Sequence, residues 1–83
     1  MDTEQGLRAV LAEVLNLDGR AAALTAASPL LGALPELDSM AVAALIAAIE
    51  DHFAMTFEDE DLTEDTFATF GSLASVVAAR RID

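Results

Sequence analysis

Three places in this 83-residue sequence hold residue types that do chemistry: the tripeptide Asp38-Ser39-Met40, a lone His52, and an acidic run at 59–65. Cysteine is absent, so no disulfide or thiolate metal site can form, and any thiol must come from an attached group. The acidic run, Asp59-Glu60-Asp61-Leu62-Thr63-Glu64-Asp65, invites comparison with a calcium loop, which needs glycine at its sixth position and glutamate at its twelfth. Counted from Asp59, those positions hold Glu64 and Phe70; counted from Asp61, they hold Thr66 and Ser72. Neither register fits, and the run reads as a solvated, charged helix without a metal site. His52 would need a nucleophile and an orienting carboxylate beside it. With no cysteine, Ser39 would have to be that nucleophile, and it lies at the opposite end of one expected helix, roughly 20 Å away at the helical rise per residue. His52 is therefore expected at a surface or helix end, and no catalytic residue is expected.

Ser39 remains. Asp and Ser are common helix-start residues, and the pair by itself says only that a helix begins here. A hydroxyl in that position faces outward, and the free N–H groups of a helix N-terminus favour a phosphodiester. Nothing in the sequence places an activating base beside it, so the serine does not activate itself.

The elements that position Ser39 can be read from the apolar spacing. Leu7, Val10, Leu11, Val14 and Leu15 recur at helical intervals and predict a first helix over about 4–15. Asp2 with Gln5 can cap its start, and Asn16 to Gly19 can end it. Gly6 lies inside and weakens this helix by roughly 1 kcal/mol against alanine. A long connection follows over 20–38, carrying Pro29, Gly32 and Pro35, with Leu24, Leu30, Leu31, Leu34 and Leu37 expected to pin it to the core. Ser28-Pro29 suggests a single helical turn.

A second helix is predicted from Asp38-Ser39 to His52 or Phe53, with Val42, Leu45, Ile46, Ile49 and Phe53 inward and Ala41, Ala44, Ala47 and Ala48 on the other side. The 58–65 segment is expected to form a short helix ending near Phe67. Ser72 is expected to cap a last helix with Leu73, Val76 and Val77 inward, and Arg80 and Arg81 complement its dipole. The fold expected is an all-α bundle of three main helices and one short one, in a single domain over 1–83.

Composition narrows the partners. The formal net charge is −11, with no lysine and only Arg8, Arg20, Arg80 and Arg81 as strong cations. Such a surface repels a nucleic-acid backbone and anionic membranes and suits a basic protein. The N-terminus lacks the basic region of a signal peptide, and the uncharged apolar run at 40–49 is far short of the ~20 residues of a spanning helix. A cytoplasmic monomer is expected.

The tripeptide and its surroundings resemble the acyl and peptidyl carrier protein family. The resemblance runs through the first helix, the leucine-pinned loop, Leu37-Asp38-Ser39-Met40, Ile49-Glu50-Asp51-His52-Phe53, the acidic segment and 67–77. It implies that Ser39 bears a 4′-phosphopantetheine arm derived from coenzyme A, and that Asp38 and Met40 are the flanking residues recognised by a phosphopantetheinyl transferase. It further implies carriage of acyl or aminoacyl thioesters, with an acyl-activating ligase, synthase or acyltransferase as partner, the carrier itself catalysing nothing.

Two departures stand out. Glu36 occupies the place, three before the serine, where such carriers often have glycine, and Ala41 and Ala44 stand where fatty-acid carriers are usually acidic. The chain thus looks like a freestanding carrier of a specialised pathway, similar to those that work beside an acyl-activating ligase, including ones linked to bacterial exopolysaccharide or exosortase systems. Docking is then expected on Met40 and an alanine face of Ala41, Ala44 and Ala48, with steering by Glu36 and 58–65. The alternative is a non-covalent acidic interaction module, in which Ser39 only starts a helix.

Overall fold

The computed structural model, which describes residues 3–81, contains three α-helices: α1 (Thr3–Leu15), α2 (Ser39–Phe53) and α3 (Phe70–Arg80). Helix α1 is the central element, packing on α2, on α3 and on a 3-10 helix at Asp18–Ala23. Its stripe of Leu7, Val10, Leu11 and Leu15 is buried. The expected cap formed by Asp2 lies outside the described residues. Gly6, which costs α1 helical propensity, has a packing reason: a Cβ there would lie 2.9 Å from Cζ of Phe53. The missing side chain lets the Phe53 ring of α2 close against α1. The helix ends at Asn16, whose φ of 56° is left-handed, and Leu17 N–H bonds back to the Ala12 carbonyl at 3.1 Å.

The connection to α2 is anchored as its leucines predict. Leu24, Leu30 and Leu37 are buried, and Leu31 and Leu34 pack at the core's edge. The helical turn expected at Ser28-Pro29 does not form. Pro29 instead makes an antiparallel bridge with Thr69. Leu30 and Leu31 donate to the Ala68 and Phe67 carbonyls at 2.8 and 3.0 Å, while the Ser28 and Ala26 carbonyls accept from Phe70 and Gly71 at 2.8 and 2.9 Å. The physical reason is that first-turn amides of α3 have no partner inside their helix, and an extended loop supplies them. The chain turns slightly later, where Leu34 N–H reaches the Leu30 carbonyl and Gly32 takes a φ of 86°.

The expected short helix over 58–65 shrinks to a 3-10 turn at Asp59–Asp61. Asp61 folds its carboxylate back onto the Glu58 amide at 2.9 Å, closing a capping box after one turn, and Leu62 leaves helical geometry with ψ of 64°. The start of α3 also differs. Thr69 is its cap, and Ser72 is the third helical residue of a reciprocal box, in which Ser72 N–H donates to Thr69 Oγ1 at 3.0 Å and Thr69 N–H to Ser72 Oγ at 3.1 Å. Phe70, Leu73, Ala74 and Val77 face inward, and Val76 is only half-buried.

Candidate functional site

Ser39 is the first residue of α2 and is exposed. The three residues before it are each held in a different way. Leu37 is buried, and its amide bonds to the Leu34 carbonyl at 3.0 Å. Asp38 is extended and caps the helix: its side chain accepts from Ala41 N–H at 2.8 Å and its carbonyl from Val42 N–H at 2.9 Å. Glu36 accepts from the Arg20 guanidinium. That guanidinium, with Glu36's own backbone N–H, holds the carboxyl below the usual carboxylate range.

Asp38 thereby uses the amides of the third and fourth helical residues. It leaves those of Ser39 and Met40 at the helix end that offers donors to an anion. Its Oδ1 is engaged in the cap. The geometry leaves an outward hydroxyl at a helix end whose free amides can face an anionic group.

Along α2 beyond the serine the surface is apolar. Met40 is 82% exposed, and Ala43, Ala44 and Ala47 continue an open stripe along α2. This differs from the face expected from sequence: Ala41 and Ala48 are half-buried and pack on the core. On the opposite flank, Val42 and Ile46, one and two turns after Ser39, border a cleft of about 180 Å³ closed by Leu31, Leu62, Thr63, Glu64 and Phe67.

The other candidates stay apart from the serine. His52 is exposed in the last turn of α2, with its ring edge-on to Phe53 at 4.8 Å. Within the acidic run Asp61 is buried rather than solvated. It receives Arg80 Nε on Oδ2 at 2.8 Å and a terminal guanidinium nitrogen on Oδ1 at 3.2 Å. This contact and the Glu58 amide lower the pKa of Asp61, and Arg80 is raised in turn. Glu60 extends the pair to a third member at 3.2 Å. Arg80 is thus a clamp on the 59–61 turn as well as a helix-end cation. Among the described residues no group of three or more His, Asp or Glu is arranged to hold a metal ion.

The Arg20–Glu36 contact was not legible in the sequence. The partners lie sixteen residues apart across irregular chain, and only their opposite charges hint at it.

Comparison with known proteins identifies the arrangement. The family model described as the phosphopantetheine attachment site matches residues 5–78. The chain is similar to a solution structure of a holo acyl carrier protein from Nitrosomonas europaea, with 46% identity, a TM-score of 0.88 and 95% of each chain covered. It is also similar to a structure of an engineered Bradyrhizobium japonicum glycine:[carrier protein] ligase complexed with a carrier protein from Agrobacterium tumefaciens and ATP. There the identity is 25% and the TM-score 0.79, with 93% of this chain and 97% of the other covered. A related structure with AMP matches at 25% identity and a TM-score of 0.75, covering 90% of this chain and 97% of that one. No curated protein sequence matches significantly. The three-helix arrangement is that of acyl carriers, which carry and do not catalyse, and phosphopantetheine is their covalent group. The chain belongs to the phosphopantetheine-attachment family, as a carrier protein.

Proposed function

We propose that Ser39 is the residue that carries the arm, that Asp38 and Met40 flank it for a phosphopantetheinyl transferase, and that residues 1–83 act as a single carrier domain in the cytoplasm. The observation that carries this reading is the exposed hydroxyl of Ser39 at the head of α2, on a loop fixed on its N-terminal side and capped by Asp38. The arm supplies the thiol that the polypeptide lacks, for acyl or aminoacyl cargo held as a thioester. The chain contributes an anchored hydroxyl, two end-of-helix amides for the phosphodiester, and a surface that partner enzymes grip.

The partner we infer is an acyl-activating ligase, synthase or acyltransferase with a basic rim. Support comes from the carrier–ligase complexes among the similar structures and from the acidic surface of this chain. Contact centres on Met40, Ala43, Ala44 and Ala47. Glu36 contributes less steering than its charge suggests, because Arg20 neutralises it. Within the acidic 58–65 segment, Glu58, Asp59, Glu64 and Asp65 keep that role, whereas Asp61 and Glu60 are held by Arg80.

Incubation of the apo protein with coenzyme A and a broad-specificity transferase should add one arm by intact mass. Ser39→Ala should take none. Modification persisting in Ser39→Ala would falsify the site, and a wild type that resists several transferases would leave Ser39 as a helix-start residue only.

A further inference from the structure

We propose that Arg20 is a positioning residue for Ser39, acting through Glu36 to hold the loop that presents the serine hydroxyl to the transferase. The inference rests on Ser39 as the attachment residue. Arg20 has a firm base: it lies in the 3-10 helix Asp18–Ala23, its amide bonds to the Leu17 carbonyl at 3.0 Å, and Ala21 beside it is buried. That helix packs on α1. From this base the guanidinium reaches across to Glu36, three residues before Ser39.

The chemistry of Glu36 makes the contact matter. Its Oε2 accepts from Arg20, while its Oε1 is shielded from solvent without a hydrogen-bond partner among the described residues. The carboxylate therefore depends on Arg20 for its neutralisation. Removing the guanidinium leaves a half-shielded charge short of donors, and the loop must move to hydrate it. The motion passes directly to Leu37 and Asp38, and so to the cap and the serine. Removing the carboxylate instead leaves an arginine that is more than half exposed and already hydrated. The two deletions are thus unequal, although they break the same pair.

Loading of apo protein with coenzyme A and a phosphopantetheinyl transferase tests this, each variant first being shown folded by circular dichroism. Arg20→Gln should lower kcat by roughly fivefold, the upper range for an exposed ion pair, with KM little changed. Glu36→Gln should cost less, the double variant should recover to the Glu36→Gln level, and Arg20→Lys should stay near wild type. Amide exchange supplies a second readout. In Arg20→Gln the Leu37, Ala41 and Val42 amides should exchange faster, and those within α3 should not. A double variant no better than Arg20→Gln, or Glu36→Gln slower than Arg20→Gln through KM, would mean that Glu36 touches the enzyme directly and would overturn the proposal. Unchanged exchange in Arg20→Gln overturns it as well. If wild type itself does not load, the carrier site fails, and the exchange comparison still decides whether Arg20 holds the loop.

Discussion

Gly71 shows how a single missing side chain fixes the long connection. A Cβ at this position would meet the Ala26 carbonyl oxygen at 2.6 Å, on the very group that accepts the Gly71 amide. Backbone faces backbone there, and no side chain can swing aside. Gly71→Ala should therefore destabilise the fold by roughly 2 kcal/mol despite its better helix propensity, measured by urea unfolding. The alanines of α2 divide just as sharply. Ala44 is exposed and Ala41 packs on the core, so the same substitution separates docking from folding. Ala44→Glu should leave stability within about 0.5 kcal/mol and slow loading about tenfold at every salt concentration, because it buries a charge in an apolar contact. Ala41→Glu should cost about 1 kcal/mol or more of stability. Equal loading by Ala44→Glu and wild type would remove the alanine stripe from the interface.

Element ends carry the next set of constraints. Helix α2 closes at Ala54, which has a φ of 53°, and the Ala54 and Met55 amides both reach the Glu50 carbonyl. An alanine in the left-handed region is strained where glycine is not. Ala54→Gly should raise stability by about 0.5–1 kcal/mol, the relief exceeding the added freedom of the unfolded chain. The Asp59–Asp61 turn depends on Asp61, bonded to Arg80 and to the Glu58 amide. A carboxylate with a depressed folded pKa contributes stability that is full above its unfolded value, near about pH 4, and is lost as pH falls through the folded value. Asp61→Asn should melt below wild type at neutral pH. The difference should narrow below about pH 4, as followed by thermal melts across a pH series. A gap independent of pH would assign the effect to geometry alone.

At the scale of the whole molecule, charge is the dominant tension. The net charge is −11, and the four arginines are spent on internal contacts: Arg8 to the Leu24 carbonyl, Arg20 to Glu36, Arg80 to Asp61 and Arg81 to Thr3 Oγ1. Each joins segments distant in sequence, so the few cations hold the bundle while carboxylates crowd the surface. With a Debye length of about 8 Å at physiological salt, added sodium chloride or millimolar magnesium should raise the melting temperature. The rise should be graded and non-stoichiometric. A saturable response to micromolar calcium would instead point to a specific site in the acidic run.

The amino-acid order by itself determined the three helices, the face of α1, the buried leucines of the connection and the start of α2 at Asp38-Ser39. These follow from apolar periodicity and from caps only a few residues long, both local properties of the chain. What failed locally was decided by distant partners. Ser28-Pro29 offered a helical turn, but the unpartnered amides of α3 drew that stretch into an extended bridge. Ser72 looked like a cap, and Thr69 takes that place through a box closed three residues on, a local exception to that pattern. The alanine face could be seen only as a list of small residues until packing on the core took Ala41 and Ala48 and left Ala43, Ala44 and Ala47 outside. Glu36 read as a free steering charge until the fold set Arg20 against it. A helix is written within its own few turns, whereas which charge meets which, and which small residue is left uncovered, depends on where the other elements come to rest.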